Sequence, residues 1–83
     1  MYFVYAIHSM VNNWIYVGMT ENLNRRIDEH NSGKTKSTKA YKPWILFYSE
    51  ELNSRIDARV REKYLKSGVG KEYLKNYLKN LNP

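Results

Sequence analysis

The sequence contains no cysteine, only two prolines and four glycines, and eight acidic residues against fourteen basic ones. The missing thiols exclude a disulfide framework, a thiolate zinc site and cysteine nucleophile chemistry. No apolar run comes near the length of about 20 residues that a membrane-spanning helix needs. The opening Met1-Tyr2-Phe3-Val4-Tyr5-Ala6-Ile7-His8 has neither the basic leader nor the cleavage site of a signal peptide. A cytoplasmic protein with no membrane contact is the reading these absences leave. With 83 residues, one domain over residues 1–83 is expected, and a chain this short buries only roughly 60–65% of its unfolded surface. No visible staple helps it, so packing must carry the fold. Eight tyrosines, two tryptophans and two phenylalanines supply large side chains for that core. The net charge of +6 favours a polyanionic partner, nucleic acid foremost, and by itself says nothing of chemistry.

Along the chain, residues 2–8 are rich in Tyr, Phe, Val and Ile and read as a buried strand. Ser9 to Asn13 is a turn, with the Asn pair suited to left-handed or Asx-turn geometry. Residues 14–18 form a second strand, hence a hairpin. From Asn22 to about Asn31 the period becomes helical, with Leu23 and Ile27 four apart; Thr20 or Asn22 caps the start and Asn31-Ser32-Gly33 offers a left-handed stop. Residues 33–43 are an aperiodic polar stretch in which Lys34, Lys36, Lys39 and Lys42 alternate with hydroxyls, closed by Pro43. A third strand covers 44–49. A second helix runs from about Asn53 to Lys66 with Ile56, Val60 and Tyr64 as its core stripe; Ser67-Gly68-Val69-Gly70 breaks it. A last short helix places Leu74, Leu78 and Leu81 in the core. Trp14 and Trp44 open two strands and are expected to pack, with base stacking the alternative for an exposed one. The predicted class is α+β, a small three-stranded antiparallel sheet flanked by helices in the order ββαβαα.

Taken singly, the polar candidates are ordinary. A strand tyrosine such as Tyr5 or Tyr16 usually serves packing, Arg26 reads as a solvated helix charge, and Glu62 as an ion-paired carboxylate. His30 lacks a second His or Cys at ligand spacing, which argues against zinc. Their order says more. Phe3-Val4-Tyr5, Tyr16-Val17-Gly18, Arg26 with His30, and Arg61-Glu62 together resemble the GIY-YIG nuclease family. The resemblance extends from residue 2 to about residue 66 and includes Asn22 to Ile27, Glu29 to Lys34 and Pro43-Trp44. It is closest to the short single-domain bacterial members. More distant similarity reaches homing-endonuclease catalytic domains and the nicking subunit of bacterial excision repair.

That resemblance implies the GIY-YIG endonuclease fold and a site made of the motif tyrosines Tyr5 and Tyr16, the arginine Arg26, the histidine His30 and the metal-binding Glu62, with Gly18 closing the second motif. It implies a single divalent cation, Mg²⁺ or Mn²⁺, held by Glu62. The first motif begins with Phe3 instead of Gly, and Asn76, Asn80 and Asn82 lack the context of the late asparagine some homing enzymes use. Members with defined targets usually carry a recognition domain in addition, so weak specificity, or specificity borrowed from a protein partner, is expected.

The physical chemistry agrees with this assignment. A guanidinium fork can hold two phosphate oxygens of an anionic diester. Arg26 and His30, one helical turn apart, share a side of their helix. A hard cation on one carboxylate acts as a Lewis acid on the phosphate and its leaving oxygen. A tyrosine hydroxyl, Tyr5 first, can relay a proton from water, although its ordinary pKa near 10 makes it a poor base without nearby cations. Lys34, Lys36, Lys39 and Lys42 read equally as a phosphate-tracking loop or a solvated one. The leading expectation is an endonuclease acting on duplex, nicked or branched DNA in preference to RNA. A nucleic-acid-binding module without turnover, or a protein-interaction domain, would share the fold and charge.

Overall fold

The computed structural model describes residues 1–81; Asn82 and Pro83 lie outside the described residues. Strands β1 (Tyr2–Ser9), β2 (Ile15–Thr20) and β3 (Trp44–Leu52) form one antiparallel sheet in the order β2-β1-β3. Helices α1 (Leu23–Asn31), α2 (Arg55–Lys66) and α3 (Gly68–Leu81) complete the ββαβαα order, and a 3-10 turn spans Lys39–Tyr41. The α+β class and strand count match the expectation from the sequence; β2 begins and ends later than expected, and β3 runs three residues further.

The alternation of a pleated strand divides the core in two. Val4 and Ala6 of β1 join Val17, Ala58, Leu65 and Leu74 under α2 and α3. Tyr5 and Ile7 point the other way and join Trp44, with Tyr16, Leu23 and Ile27 packed against them from β2 and α1. A bulge in β3 interrupts the register, because Ala6 faces Tyr48 while Ile7 faces Leu46. Phe47 is the extra residue, and both it and Tyr48 turn their rings toward Tyr77 of α3, with centroids 6.4 and 5.2 Å away.

Local chemistry sets the element ends. Asn22 caps α1 by accepting from the Arg25 amide, and Gly33 follows the helix at φ +82, a conformation that favours glycine. In the first turn Asn12 adopts the Asx option, accepting from the Trp14 amide; no described non-glycine residue has positive φ. Ser54 caps α2 through the Asp57 amide.

Four sequence expectations about packing and helix ends are corrected. Ile56 and Val60 are 77% and 64% exposed and Tyr64 is also exposed, so they are not the core stripe of α2; Ala58, Glu62 and Leu65 are. Both triplets have helical spacing, and the smaller Ala58 allows α2 close to the sheet. Leu81 is exposed, and so is Trp14, whereas Trp44 packs as expected.

The fourth correction concerns the break before α3. Only Ser67 separates the helices, and α3 takes in Gly68, Val69 and Gly70. Gly70 serves close approach, since a Cβ there would collide with the Tyr64 carbonyl oxygen and stand 2.5 Å from Leu65 Cα. Backbone cannot yield as a side chain can. Gly70→Ala is therefore expected to cost about 3 kcal/mol, the upper end of usual overpacking. Gly68→Ala, with nothing within 4 Å, should leave stability equal or slightly higher. Urea unfolding of the two variants checks this, and equal midpoints would contradict the backbone contact.

Candidate functional site

The β1–β2 ladder sets Tyr5 directly opposite Gly18. A Cβ on residue 18 would lie 2.6 Å from the Tyr5 hydroxyl oxygen, so glycine is what lets the ring lie across β2. Tyr5 then reaches α1, where its hydroxyl is 2.8 Å from His30 Nε2. His30 Nδ1 is 2.8 Å from Thr38 Oγ1, and Thr38 is placed to donate to the Thr35 carbonyl at 3.4 Å. With Thr38 donating onward, its oxygen accepts from Nδ1–H. Nε2 is then the bare nitrogen, and Tyr5 donates to it. Tyr5, His30 and Thr38 are all buried. They form one directed chain of hydrogen bonds.

Charge in this region follows from burial. Desolvation pushes the Tyr5 hydroxyl up to about 12, against a smaller lowering by Arg26. Desolvation, with Arg26 adding to it, lowers His30 to about 4. At neutral pH both are uncharged, and burial outweighs the cationic help that a tyrosinate at residue 5 would need. Arg26 lies at the rim, where its Nη1 donates to Glu29 Oε1 at 3.0 Å and to Thr35 Oγ1 at 3.4 Å. Tyr16 stands beside the chain, its ring 5.1 Å from that of His30 and 6.5 Å from that of Tyr5. It is partly exposed, and among the described residues its hydroxyl has no side-chain partner.

The polar stretch after α1 is the support that sequence reasoning missed. Thr35 and Thr38 hold Arg26 and His30, and the Trp44 indole N–H donates to the Thr38 carbonyl at 2.8 Å. Asn31 clamps the Trp44 backbone from both sides, donating to its carbonyl at 3.1 Å and accepting from its amide at 2.6 Å. The available signal was the alternation of hydroxyls with lysines. The lysines Lys34, Lys36, Lys39 and Lys42 are all exposed.

Glu62 reaches the region from α2, with its side chain only 11% exposed. Lys66 Nζ is 3.2 Å from Oε2 and Arg59 Nη1 3.9 Å from Oε1. The carboxylate adds a small upward push on Tyr5. Among the described residues no three His, Cys, Asp or Glu gather as a metal cluster. One carboxylate is nevertheless a fitting donor set for a hard cation that keeps its waters and takes phosphate oxygens as further ligands. Tyr5, Tyr16, Arg26 and His30 thus share one side of the sheet, with Glu62 approaching from the helix that closes the other core.

Comparison with known proteins gives one family match, to the GIY-YIG catalytic domain over residues 1–78. UPF0213 protein SH2523 of Staphylococcus haemolyticus is 36% identical over 75 residues, covering 89% of this chain and 90% of that protein. UPF0213 protein YazA of Bacillus subtilis is 35% identical over 66 residues, 78% of this chain and 66% of its own. A UPF0213 protein of Pediococcus acidilactici is 42% identical over 69 residues, covering 80% and 69%. These names assign no reaction. No solved structure matches the chain significantly, and no described helix is long and apolar enough to cross a membrane.

Proposed function

Because the chain belongs to the GIY-YIG family of nuclease catalytic domains, we propose that it is a metal-dependent endonuclease hydrolysing phosphodiester bonds in DNA. The observation that carries this reading is the buried Thr38–His30–Tyr5 hydrogen-bond chain, ending beside Arg26 and Tyr16. Family nucleases generally use divalent metal ions. Glu62 would hold such an ion, which supplies Lewis-acid stabilisation of the phosphate and its leaving oxygen.

The remaining work falls to the chain's own residues. Arg26 exchanges its contact with Glu29 for two phosphate oxygens, and the planar fork fixes the diester. Tyr16, the accessible hydroxyl, orients the attacking water. Burial raises the Tyr5 hydroxyl to about 12 and lowers His30 to about 4, so in the resting protein the shared proton stays on Tyr5. No resting tyrosinate therefore forms. Tyr5 works as a conduit, accepting a proton from water while giving its own to Nε2, so that the proton ends on His30. Burial is the larger cause of the low His30 value and the Arg26 field the smaller; phosphate bound at Arg26 offsets the second and makes His30 a better acceptor. Lys34, Lys36, Lys39 and Lys42, exposed on the stretch after α1, would serve as contacts for flanking phosphates.

The test is incubation with plasmid, branched DNA and RNA, with and without Mg²⁺ or Mn²⁺. Metal-dependent cutting by the parent is expected. Arg26→Lys should lose nearly as much rate as Arg26→Ala, on the order of 2–4 kcal/mol in the barrier, by analogy with loss of one transition-state donor. A Lys variant that keeps most activity would contradict the bidentate role. Binding without cutting under either metal would leave a nucleic-acid-binding module of the same fold.

A further inference from the structure

Away from the rim of Arg26, the chain carries a second basic surface. Three grooves lie between the β1–β2 hairpin and the end of α2 with α3, and Ile15 lines each of them. The largest of these, of about 400 Å³, is lined by Asn13, Trp14, Ile15, Lys71 and Lys75. Its neighbour is lined by Lys71, Lys66 and Tyr16. Lys66 is also the residue whose amine pairs with Glu62. The path thus begins at an exposed indole and passes two lysines of α3 to the partner of the candidate metal ligand, on the face of the sheet opposite the Tyr16 and Tyr5 rings.

Trp14 is fixed for use at the far end. Asn12 accepts from its amide at 3.0 Å, and Tyr41 covers the ring from one side with centroids 4.3 Å apart. Even so the residue is 55% exposed, an unusual state for an indole that could have been packed. A held, open aromatic face next to regularly placed amines matches the needs of a single strand, whose unpaired bases present faces for stacking and whose phosphates recur along the backbone. In a duplex those faces are already stacked.

We propose that this groove binds an unpaired single-stranded segment of nucleic acid and leads it toward Lys66 and its partner Glu62. The assignment rests on the nuclease reading for what happens at Glu62, but the binding does not require turnover. Lys71 and Lys75 contact successive phosphates, and Trp14 stacks on a base.

Binding is measured in EDTA, so that nothing is cut, with short labelled oligothymidine, oligouridine and a blunt DNA hairpin. Trp44 is buried, so quenching of indole fluorescence on adding single strand reports Trp14. Trp14→Leu, which keeps apolar bulk without a stacking face, should bind single strand about tenfold more weakly. The variant Lys71→Gln with Lys75→Gln should lower the salt slope by about 1.4, at about 0.7 per single-strand contact. The blunt hairpin should be affected much less by either. Oligothymidine and oligouridine together show whether DNA or RNA fills the groove. Unchanged single-strand affinity in Trp14→Leu, or equal losses on the blunt hairpin, would overturn the proposal. A protein that binds single strand here but cuts nothing keeps the groove and loses the nuclease reading. One that cuts while Trp14→Leu binds normally does the reverse.

Discussion

Tyr5→Phe is expected to lower the cleavage rate by about 10²–10⁴-fold, the range of a positioned acid–base group, while the protein stays folded. The substitution keeps ring, volume and strand propensity. It also removes the hydroxyl that donates to His30 Nε2 and leaves a buried nitrogen without its partner, a stability loss of about 1–3 kcal/mol. Tyr16→Phe should show a comparable rate loss with almost none of the stability loss, because its hydroxyl has no side-chain partner among the described residues. That contrast distinguishes a buried conduit from an accessible water-orienting group. Tyr48→Phe is the control: its hydroxyl bonds to Glu50 at 2.8 Å, under α3 and away from His30, and the variant should cut normally. Cleavage rate and thermal unfolding are read on the same preparations. Full cleavage by both motif variants would remove the two tyrosines from the mechanism.

Glu62→Gln is expected to abolish metal-dependent cleavage, a loss of at least about 10²-fold, with nucleic-acid affinity retained. The amide preserves shape and removes the charge that would attract the cation. Stability should change little, since the partners Lys66 and Arg59 are well exposed and such pairs contribute about 0–1 kcal/mol. Manganese titration in the absence of nucleic acid gives an independent reading, in which the Gln variant should bind the ion more weakly. A Gln variant that cuts as fast as the parent would show that Glu62 is not the ligand.

The match between the observed sheet and the sequence reading comes from short-range chemistry. Strand alternation, the Asn22 cap and the left-handed Gly33 are decided within a few residues, so they can be read without tertiary information. The motif blocks carried the candidate residues in the same way, and four of them, Tyr5, Tyr16, Arg26 and His30, meet on one side of the sheet. Helix α2 shows where this stops. Its two stripes, Ile56/Val60/Tyr64 and Ala58/Glu62/Leu65, both have helical spacing, and apolar size favours the wrong one. Close packing against the sheet selected Ala58 and drew a carboxylate inward.

By itself, then, the sequence determined the α+β class, the order of elements and the identity of the family, because those depend on local periodicity and on motifs fixed in order. Tertiary structure decided how the site is supported. The sign of the Tyr5 and His30 shifts depends on how completely neighbours exclude water, which no spacing records. The roles of Thr35 and Thr38 depend on a loop folding back onto α1. Gly70 looked like a helix breaker until the two helix backbones were seen in contact. Trp14, expected in the core, stands open because the hairpin turn and Tyr41 hold it at the edge of β2, where α3 brings its lysines alongside.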